Sequence, residues 1–515
     1  MGVRRQRGAA TEPLGIDGES LDLEAFHQVA RSGRPVVLAP AARARIDAAR
    51  AVIEAAVAGG EAVYGVNTGF GNLASVRIAD EDLERLQRHL VLSHAAGVGE
   101  PLPEVAVRGM LLLRANTLAR GFSGVRAVLV ERILELLNRG LTPVVPSRGS
   151  VGASGDLAPL AHLALPLIGA GEIFVGGARR PALEVLRDAG LEPLVLAPRE
   201  GLGLINGTQA MTSLLALAIL EARRLVRAAD LIGALSTDAL RGTDAAFDPR
   251  IQAVRPHPGQ AAAAANLRQL LAGSMIRESH RSGDVRIQDP YSIRCMPQVH
   301  GAVRDVLADV EAKVAIEMNA ATDNPLVFAA EGETVSGGNF HGEPIALAAD
   351  FLAIALAELA SISERRTEKL TNDTFSGLPP FLVADAGLNS GFMMAQVTAA
   401  ALVSENKTLA HPASVDSIPT SADKEDHVSM GMWAALKLGS VVDNLRAVLA
   451  IELLAAAQGI DLLRPLSSSA PLEALHRDLR GHVAPWDHDR EMAPDLARAE
   501  AFLAGDIDRH LEALR

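Results

Sequence analysis

The chain has 515 residues and a formal net charge of −13, from 62 acidic and 49 basic side chains. This acidic balance argues against general binding of nucleic acid through its phosphate backbone. The single cysteine, Cys295, excludes an intramolecular disulfide and a multi-cysteine metal site, and it fits a reducing cytoplasm. Nearly half of the residues are apolar but only 3% are aromatic. The core is therefore expected to consist mostly of Ala, Leu and Val in helices.

The first part of the chain predicts short helices separated by turns. Residues 1–15 are polar and predict a flexible tail. An N-terminal region over 16–200 follows, in which helical patterns such as 41–58 and 123–139 alternate with Gly and Pro. Residues 172–198 are richer in Gly, Pro and Val and predict a small hairpin or loop excursion.

No membrane span or export signal is expected. The stretch 201–220 carries no charge, but Asn206, Thr208 and Gln209 would be costly in lipid, so it is interpreted as buried interior. The N-terminal arginines are not followed by an apolar segment. The sequence thus favours a soluble cytoplasmic protein.

Residues 201–515 predict a bundle of long helices and a C-terminal helical region. The long stretches are rich in Ala, Leu, Ile, Val and Met and are apolar on more than one face, as in the middle of a bundle; they cover 302–320, 344–370, 391–409 and 428–458. No linker separates them from the N-terminal region. We therefore expect one integrated, mainly α, large and elongated bundle with a smaller loop-rich N-terminal region. Since such helices need neighbours, homo-oligomerisation through a shared bundle is also expected.

The most informative segment is 146–162, PSRGSVGASGDLAPLAH. Gly149, Gly152 and Gly155 allow the backbone to fold tightly on itself. Asp156 then places a carboxyl group at the start of an apolar run. By itself, the pattern is also the ordinary composition of a glycine-rich turn that leads into a helix N-cap.

Other polar motifs accompany this segment, and the only two tyrosines, Tyr64 and Tyr291, lie in two of them. The motifs are 63–74 (VYGVNTGFGNLA), 90–97 (LVLSHAAG), 202–209 (LGLINGTQ), 288–298 (QDPYSIRCMPQ), 317–325 (EMNAATDNP), 336–341 (SGGNFH), 389–412 and 414–431. With these motifs the chain resembles, over roughly residues 20–490, the aromatic amino acid ammonia-lyase family. That family includes histidine, phenylalanine and tyrosine ammonia-lyases. The resemblance implies a fumarase/aspartase-like fold.

The resemblance also implies a prosthetic group made from the chain itself. In the family, an Ala-Ser-Gly triad cyclises with loss of two waters to give 4-methylidene-imidazole-5-one. The triad here is Ala153-Ser154-Gly155, Asp156 matches a residue that assists cyclisation, and no external cofactor is expected. An amine is a poor leaving group and no ordinary side chain is an electrophile. A backbone segment that cyclises in this way can supply the electrophile.

Further roles follow from the same resemblance. Tyr291 matches the base that removes the β-proton, and Tyr64 matches a second active-site tyrosine. Arg294 matches a clamp for the substrate carboxylate, which suits a planar guanidinium. Asp289-Pro290 predicts an N-cap and a first helical position, with Pro297 soon interrupting the helix. A tyrosine that is merely buried with a bonded hydroxyl is the alternative interpretation.

Three more residues match polar or aromatic positions near the prosthetic group. Asn206 and Gln288 match residues that hydrogen-bond to the group or to the substrate, and Phe340 matches an aromatic ring packed beside them. From composition alone, an isolated Arg, Asn or Gln is more often a surface or capping residue.

Two positions bear on the substrate. His94 matches a position at which histidine- and tyrosine-specific members carry His. Glu425 matches one at which histidine-specific members carry Glu and the others Gln. A carboxylate accepts from an imidazole N–H but gains nothing from a phenyl ring, although Glu425 could equally be a helix-start carboxylate. The resemblance thus implies ammonia elimination from L-histidine to trans-urocanate, the first step of histidine degradation, by a homotetramer with shared active sites.

Asp423-Lys424, where Asn-Gln is more usual, and His300, where an apolar residue is common, depart from the family pattern. The alternatives left open are a tyrosine ammonia-lyase or aminomutase with the same group, an inactive helical scaffold, and a metal-dependent hydrolase. The 14 histidines show no HExxH or paired-ligand spacing, so no metal site is expected.

Overall fold

The computed structural model describes residues 12–59, 63–69, 76–284 and 286–515, and over these ranges the chain is mainly helical. The α-helices are α1 Leu23–Ala30, α2 Pro40–Gly59, α3 Leu83–His94, α4 Glu104–Ala119, α5 Ala127–Arg139, α6 Leu157–Ala164, α7 Ala182–Asp188, α8 Glu200–Ile205, α9 Gln209–Ala239, α10 Pro249–Ala253, α11 Pro258–Leu271, α12 Met275–Ser279, α13 Tyr291–Arg294, α14 Met296–Glu317, α15 Glu343–Thr371, α16 Asp373–Ser376, α17 Met393–Leu409, α18 Gly431–Leu462, α19 Ala470–Arg480, α20 Ala493–Ala504 and α21 Asp508–Leu511. The predicted fold class is confirmed.

The strands are short and pair in small groups. They are β1 Leu14–Ile16, β2 Val36–Leu38, β3 Val98–Pro101, β4 Thr142–Pro143, β5 Pro146–Arg148, β6 Glu172–Val175, β7 Ala178–Pro181, β8 Leu326–Phe328 and β9 Glu333–Val335. β1 and β2 are parallel, with Leu14 opposite Val36. The other pairs are antiparallel: β3 with β5, β6 with both β4 and β7, and β8 with β9.

The chain divides into two compact units, each built from separated segments. The first consists of Met1–Leu217, Ala312–Ala349 and Pro412–Leu436, and the second of Ala218–Glu311, Asp350–His411 and Lys437–Arg515. All the strands given above belong to the first unit, whereas the described part of the second is helical. The predicted division into 16–200 and 201–515 follows the sequence only and stays a prediction.

Three helices of the first unit, α3, α6 and α8, hold the segments that carry the candidate site. Every residue of α8 is buried. A Cβ on Gly201 would lie 2.7 Å from the carbonyl oxygen of Gln87, so glycine at this position allows α8 to approach α3 closely. His94 is the last residue of α3, α6 begins one residue after the Ala-Ser-Gly triad, and α8 ends just before Asn206. The packing of these three helices thus positions polar residues at their ends.

The second unit is held together by apolar packing and by ion pairs buried within it. Arg366 binds Glu452 with Nε 2.5 Å from Oε1, and both side chains are fully buried. His300, one of the departures from the family pattern, is also fully buried and lies with Nδ1 2.7 Å from Oδ1 of Asp230. The hydroxyl of Ser363 donates to Oε2 of Glu452 at 2.5 Å. These bonds offset the cost of burying charge.

One helix, α15, is long and apolar enough to cross a membrane by length and composition. However, 67% of its most apolar window is buried inside the structure, as in the core helix of a bundle. The uncharged stretch 201–220 is likewise buried or half-buried throughout. Its interpretation as protein interior is confirmed.

Several predicted element boundaries need correction. The predicted tail over 1–15 falls partly outside the described residues, and its last two residues, Leu14 and Gly15, lie in β1. The helix expected over 123–139 begins at Ala127. The hairpin expected within 172–198 is present as β6 and β7, and the four long stretches are present as α14, α15, α17 and α18.

The segment around Tyr291 also differs from its prediction. Pro290 is the N-cap residue of α13 rather than its first residue. Asp289 does not cap this helix; its Oδ2 accepts the backbone N–H of Thr243 at 2.6 Å. The helix that carries Tyr291 does stop before Pro297, at Arg294, and Pro297 lies in the first turn of the next helix, α14, which begins at Met296. Proline is tolerated there because first-turn N–H groups have no intrahelical partner.

Candidate active site

The Ala-Ser-Gly triad lies in a tight turn that requires glycine. Gly152 and Gly155 have φ values of 84° and 78°, and Ser154 has a φ of 49°, which is uncommon for a residue with a side chain. A Cβ on Gly155 would lie 2.1 Å from the carbonyl oxygen of Gly207. That carbonyl accepts the N–H of Asp156 at 2.7 Å, and the N–H of Gly207 donates to the Ser154 carbonyl at 3.2 Å. The segment ahead of α9 thus holds the turn in place.

Asp156 caps a helix, but not the one that the sequence predicted. It precedes α6 without a side-chain capping bond to it. Instead, its Oδ2 accepts the N–H groups of Ala210 and Met211, both at 2.9 Å, in the first turn of α9. Complete burial raises the pKa of Asp156 to about 7, although these hydrogen bonds oppose the shift. The carboxyl group therefore ties the triad to the start of a long helix.

A cavity of about 490 Å³ in the first unit opens onto the triad and is lined by Tyr64, His94, Ser154 and Glu425. This volume is in the range of pockets that hold small molecules. The sequence predicted all four side chains as site residues, from four motifs far apart in the chain, and they share one cavity. Apolar side chains complete much of the wall: Val76, Ile78, Leu86, Leu90, Leu157 and Leu202.

His94 is held as a neutral acceptor. Its Nδ1 lies 2.9 Å from the carbonyl oxygen of Leu90, which can only accept, so Nδ1 carries the proton. Burial lowers the pKa of His94, while the Leu90 bond and the charge of Glu425 act in the opposite direction. At neutral pH, Nε2 is therefore left as a hydrogen-bond acceptor.

Glu425 faces the triad. Its Oε1 lies 3.4 Å from the hydroxyl of Ser154, and its Oε2 accepts the hydroxyl of Thr420 at 2.7 Å. The backbones of Thr420 and Glu425 pair in an antiparallel bridge. Glu425 therefore stands in the wall of the cavity and is not a helix-start carboxylate.

Asn206 directly precedes Gly207, the residue that binds the turn of the triad, and is almost completely buried. Its Nδ2 donates to the carbonyl of Asn324 at 3.0 Å, and its own carbonyl accepts from Nη1 of Arg114 at 2.5 Å. Burial lowers the pKa of Arg114 to about 10, so its guanidinium stays charged at neutral pH. Oδ1 of Asn206 has no hydrogen-bond partner within the part of the chain that is described. This buried acceptor, with the glycine turn next to it, fits a prosthetic group formed from the triad.

Four predicted site residues, Gln288, Tyr291, Arg294 and Phe340, are not among the residues that line the cavity. Tyr291 and Arg294 belong to the second unit, where the Tyr291 side chain is 67% exposed and the Arg294 guanidinium lies 4.5 Å from its ring centroid. Gln288 is exposed. Phe340, in the first unit, is half-buried. Of the predicted site residues, those that line the cavity are therefore Tyr64, His94, Ser154 and Glu425.

Sequence reasoning missed several polar residues of this site: His89 and Ser93 line the cavity from α3, and two more lie near Glu425. Thr420 binds Glu425, and Ser421 lines the cavity. Both stand in the motif 414–431, but single hydroxyl residues there give no signal of their own. Only the fold of the segment brings the hydroxyl of Thr420 to the carboxylate.

Comparison with known proteins identifies the family. Residues 21–481 match the family model described as aromatic amino acid lyase. The chain belongs to the aromatic amino acid lyase family. It is therefore an ammonia-lyase, a carbon–nitrogen lyase, of a family that uses 4-methylidene-imidazole-5-one.

The relatives that match include proteins named histidine ammonia-lyase. The chain is 59% identical to the histidine ammonia-lyase of Anaeromyxobacter sp. (strain K), over 96% of this chain and 98% of that protein. Among solved structures, it is similar to histidine ammonia-lyase from Trypanosoma cruzi, with a TM-score of 0.90, 46% identity, and coverage of 97% of this chain and 95% of that one. It is also similar to tyrosine aminomutase from Streptomyces globisporus, with a TM-score of 0.92, 39% identity, and coverage of 97% and 98%.

No group of three or more His, Cys, Asp or Glu that could hold a metal ion occurs within residues 12–59, 63–69, 76–284 and 286–515.

Proposed function

We propose that this lyase eliminates ammonia from L-histidine to give trans-urocanate, as the first step of histidine degradation in the cytoplasm. The observation that carries the choice of substrate is the carboxylate of Glu425 in the wall of the cavity, beside Ser154. Oε1 of this half-buried carboxylate can accept an imidazole N–H, whereas a phenyl ring offers it no hydrogen bond. His94, as a neutral acceptor, offers a second polar contact. The histidine ammonia-lyases among the relatives support the same substrate.

Ala153, Ser154 and Gly155 are proposed to form the prosthetic group autocatalytically. When formed, the group supplies an electrophile that the twenty ordinary side chains lack. Asp156 is proposed to assist its formation by fixing the turn against the first turn of α9. Asn206 supplies a buried polar side chain next to the turn, and its unpartnered Oδ1 is an acceptor for the finished group or the substrate amine.

The remaining residues are proposed to bind the substrate and move its protons. Tyr291 acts as the base toward the β-proton, and Tyr64, in the cavity wall, acts beside the amine. Arg294 binds the substrate carboxylate through its planar guanidinium. Gln288 and Phe340 complete the site as a hydrogen-bonding and a packing residue.

We propose a homotetramer with shared active sites, in which a second copy of the chain supplies some of these residues. Tyr291, Arg294 and Gln288 do not line the cavity described above, and Tyr291 is exposed. Large apolar side chains are also exposed, among them Leu388, Met394, Val397 and Trp433. Burial of such side chains is the usual driving force of a stable interface. Tyr291 and Arg294 of one copy would then complete the cavity of another.

Subunit sharing can be tested by mixing two inactive variants. Ser154→Ala removes the triad serine, and Tyr291→Phe removes the proposed base. Denaturing and refolding the two together should restore activity, because some cavities of a mixed oligomer combine a native triad with a native Tyr291. Each variant refolded alone is the control. If the mixture stays as inactive as the separate variants while forming oligomers, the active site is not shared in this way.

The substrate proposal is tested with L-histidine, L-tyrosine and L-phenylalanine, followed by the absorbance of the unsaturated acid. Formation of trans-urocanate alone supports the proposal. A tyrosine ammonia-lyase or aminomutase is the second candidate, favoured by the structural similarity to tyrosine aminomutase. Activity on L-tyrosine without activity on L-histidine would establish it instead.

A further inference from the structure

The two carboxylate oxygens of Glu425 make different contacts, and Thr420 binds one of them. Its hydroxyl donates to Oε2 at 2.7 Å, while Oε1 lies on the side of the triad, 3.4 Å from the hydroxyl of Ser154. Both side chains are partly buried, so this charge-assisted bond is only partly screened by water. One oxygen is thus fixed within the segment and the other faces the cavity.

The backbone around Thr420 is closed independently of this bond. The N–H of Thr420 donates to the carbonyl of Glu425 at 3.0 Å, and the N–H of Glu425 donates back at 3.4 Å. Between them, Ser421, Ala422 and Asp423 have φ values of 51°, 53° and 62°, a left-handed conformation that side chains disfavour. Because the backbone pair already closes this turn, the hydroxyl of Thr420 is available for a different purpose.

We propose that Thr420 is a positioning residue that sets substrate specificity by orienting the carboxylate of Glu425. The proposal rests on the function proposed above, in which Glu425 recognises an imidazole N–H. A glutamate side chain has several rotatable bonds, and the substrate alone would have to order them. Thr420 orders them in advance, since its own β-branched side chain has few rotamers. Dehydration of Ser154 during cyclisation removes its hydroxyl, which leaves Oε1 to accept from the substrate.

The test compares Thr420→Val, which keeps the shape but loses the hydroxyl, with Thr420→Ser, which keeps the hydroxyl. We expect Thr420→Val to lower kcat/KM for L-histidine by about 10- to 100-fold, mainly through a higher KM, since a lost bond to a charged group is of this size. Thr420→Ser should restore kcat/KM to within about threefold of the native value. Loss of two waters, read from intact mass, should remain complete in both, because Thr420 does not contact the triad's backbone.

Two further variants separate positioning from folding. Ser417→Ala removes another hydroxyl of the same segment, one that accepts the N–H of Val428 at 2.9 Å, and should leave KM nearly unchanged. In a Glu425→Gln background, Thr420→Val should add little, because the carboxylate that it orients is gone. If Thr420→Val does not fold, Thr420→Ala removes the same hydroxyl with less crowding and replaces it in every comparison.

The results that would overturn this proposal differ from those that would overturn the proposed function. If the native protein acts on L-histidine but Thr420→Val keeps its KM, or Thr420→Ser is as impaired as Thr420→Val, positioning by Thr420 is overturned and the function stands. If Thr420→Val lowers kcat/KM as much in the Glu425→Gln background as in the native protein, positioning by Thr420 is also overturned. If the native protein does not act on L-histidine at all, both proposals are overturned together.

Discussion

The hydroxyl of Ser154 and the carboxylate of Glu425 lie 3.4 Å apart, although 271 positions separate them in the sequence. Ser154 belongs to the triad proposed to form the electrophile, and Glu425 to the segment proposed to select the substrate. Their proximity places the proposed reacting group and the proposed recognition group in one cavity. The predictions below follow from this relationship and from the contacts that hold each partner in place.

Replacement of Ser154 by alanine should abolish both the prosthetic group and the activity. Alanine has no hydroxyl to eliminate, so the two waters cannot both be lost. We expect the intact mass to lack the two-water deficit and turnover of L-histidine to fall by at least about a thousandfold, as on loss of a covalent catalyst. Ser147→Ala, in the neighbouring strand β5, is the matched control and should retain both. A fully active Ser154→Ala protein would show that the triad is not the electrophile.

Replacement of Glu425 by glutamine should weaken the use of L-histidine selectively. The amide keeps the size of the side chain but loses the charge that favours an imidazole N–H. We expect kcat/KM for L-histidine to fall by about a hundredfold, with no comparable loss for L-phenylalanine. Asp426→Asn changes the adjacent exposed carboxylate and should have little effect. Equal losses in the two variants would count against Glu425 as the selecting residue.

Asp156 should make the folded protein less stable as the pH rises. Its folded pKa of about 7 lies above its ordinary value of 3.8, so the folded state binds a proton that the unfolded state has released. This contribution is complete below pH 4 and is lost as the pH rises through 7. From pH 5 to 8, the free energy of unfolding of the native protein should fall by roughly 2–3 kcal/mol relative to Asp156→Asn. Urea titrations of both proteins measure the difference. If the free energy of unfolding of the native protein relative to Asp156→Asn stays constant or rises from pH 5 to 8, the raised pKa assigned to Asp156 is contradicted.

His300 should be needed for stability in this chain even though an apolar residue is common at its position in the family. Because Arg366 Nη1 lies 3.3 Å from Nε2 and can only donate, Nδ1 must carry the proton toward Asp230. Burial lowers the pKa of His300, which keeps the ring neutral between the two ion pairs. His300→Leu should cost about 2–4 kcal/mol, since it leaves the buried Oδ1 of Asp230 without its hydrogen bond, while Oδ2 keeps its bonds to Asn266 and Arg304. The exposed His257→Leu is the control in thermal unfolding, and an equally small effect of both would refute the network's role.

The sequence predicted which residues line the site where a motif is defined by the types of its side chains. It did not predict the contacts that depend on how distant segments pack. Tyr64, His94, Ser154 and Glu425 were all predicted, and they share one cavity. The bond that Asp156 makes to α9 was not predicted, because a local pattern cannot indicate which helix a carboxylate reaches. Thr420 was missed for the same reason.

Boundaries near proline show the same limit. The helix that carries Tyr291 ends at Arg294, before Pro297, as expected, but the sequence did not predict that α14 begins at Met296 and accommodates Pro297 in its first turn. A proline is compatible with both a stop and a start, and tertiary packing decides between them. Likewise, the roles proposed for Tyr291 and Arg294 involve a second copy of the chain, and the sequence of one chain cannot position it.

The most direct test of the central claim is the product balance of the purified native protein with L-histidine. The released ammonia and the trans-urocanate are measured in the same reaction, together with the intact mass of the protein. We predict equal amounts of both products from protein that has lost two waters. Consumption of L-histidine that yields a rearranged amino acid without ammonia would indicate an aminomutase. Absence of reaction in protein that carries the two-water deficit would contradict the assignment of histidine as the substrate.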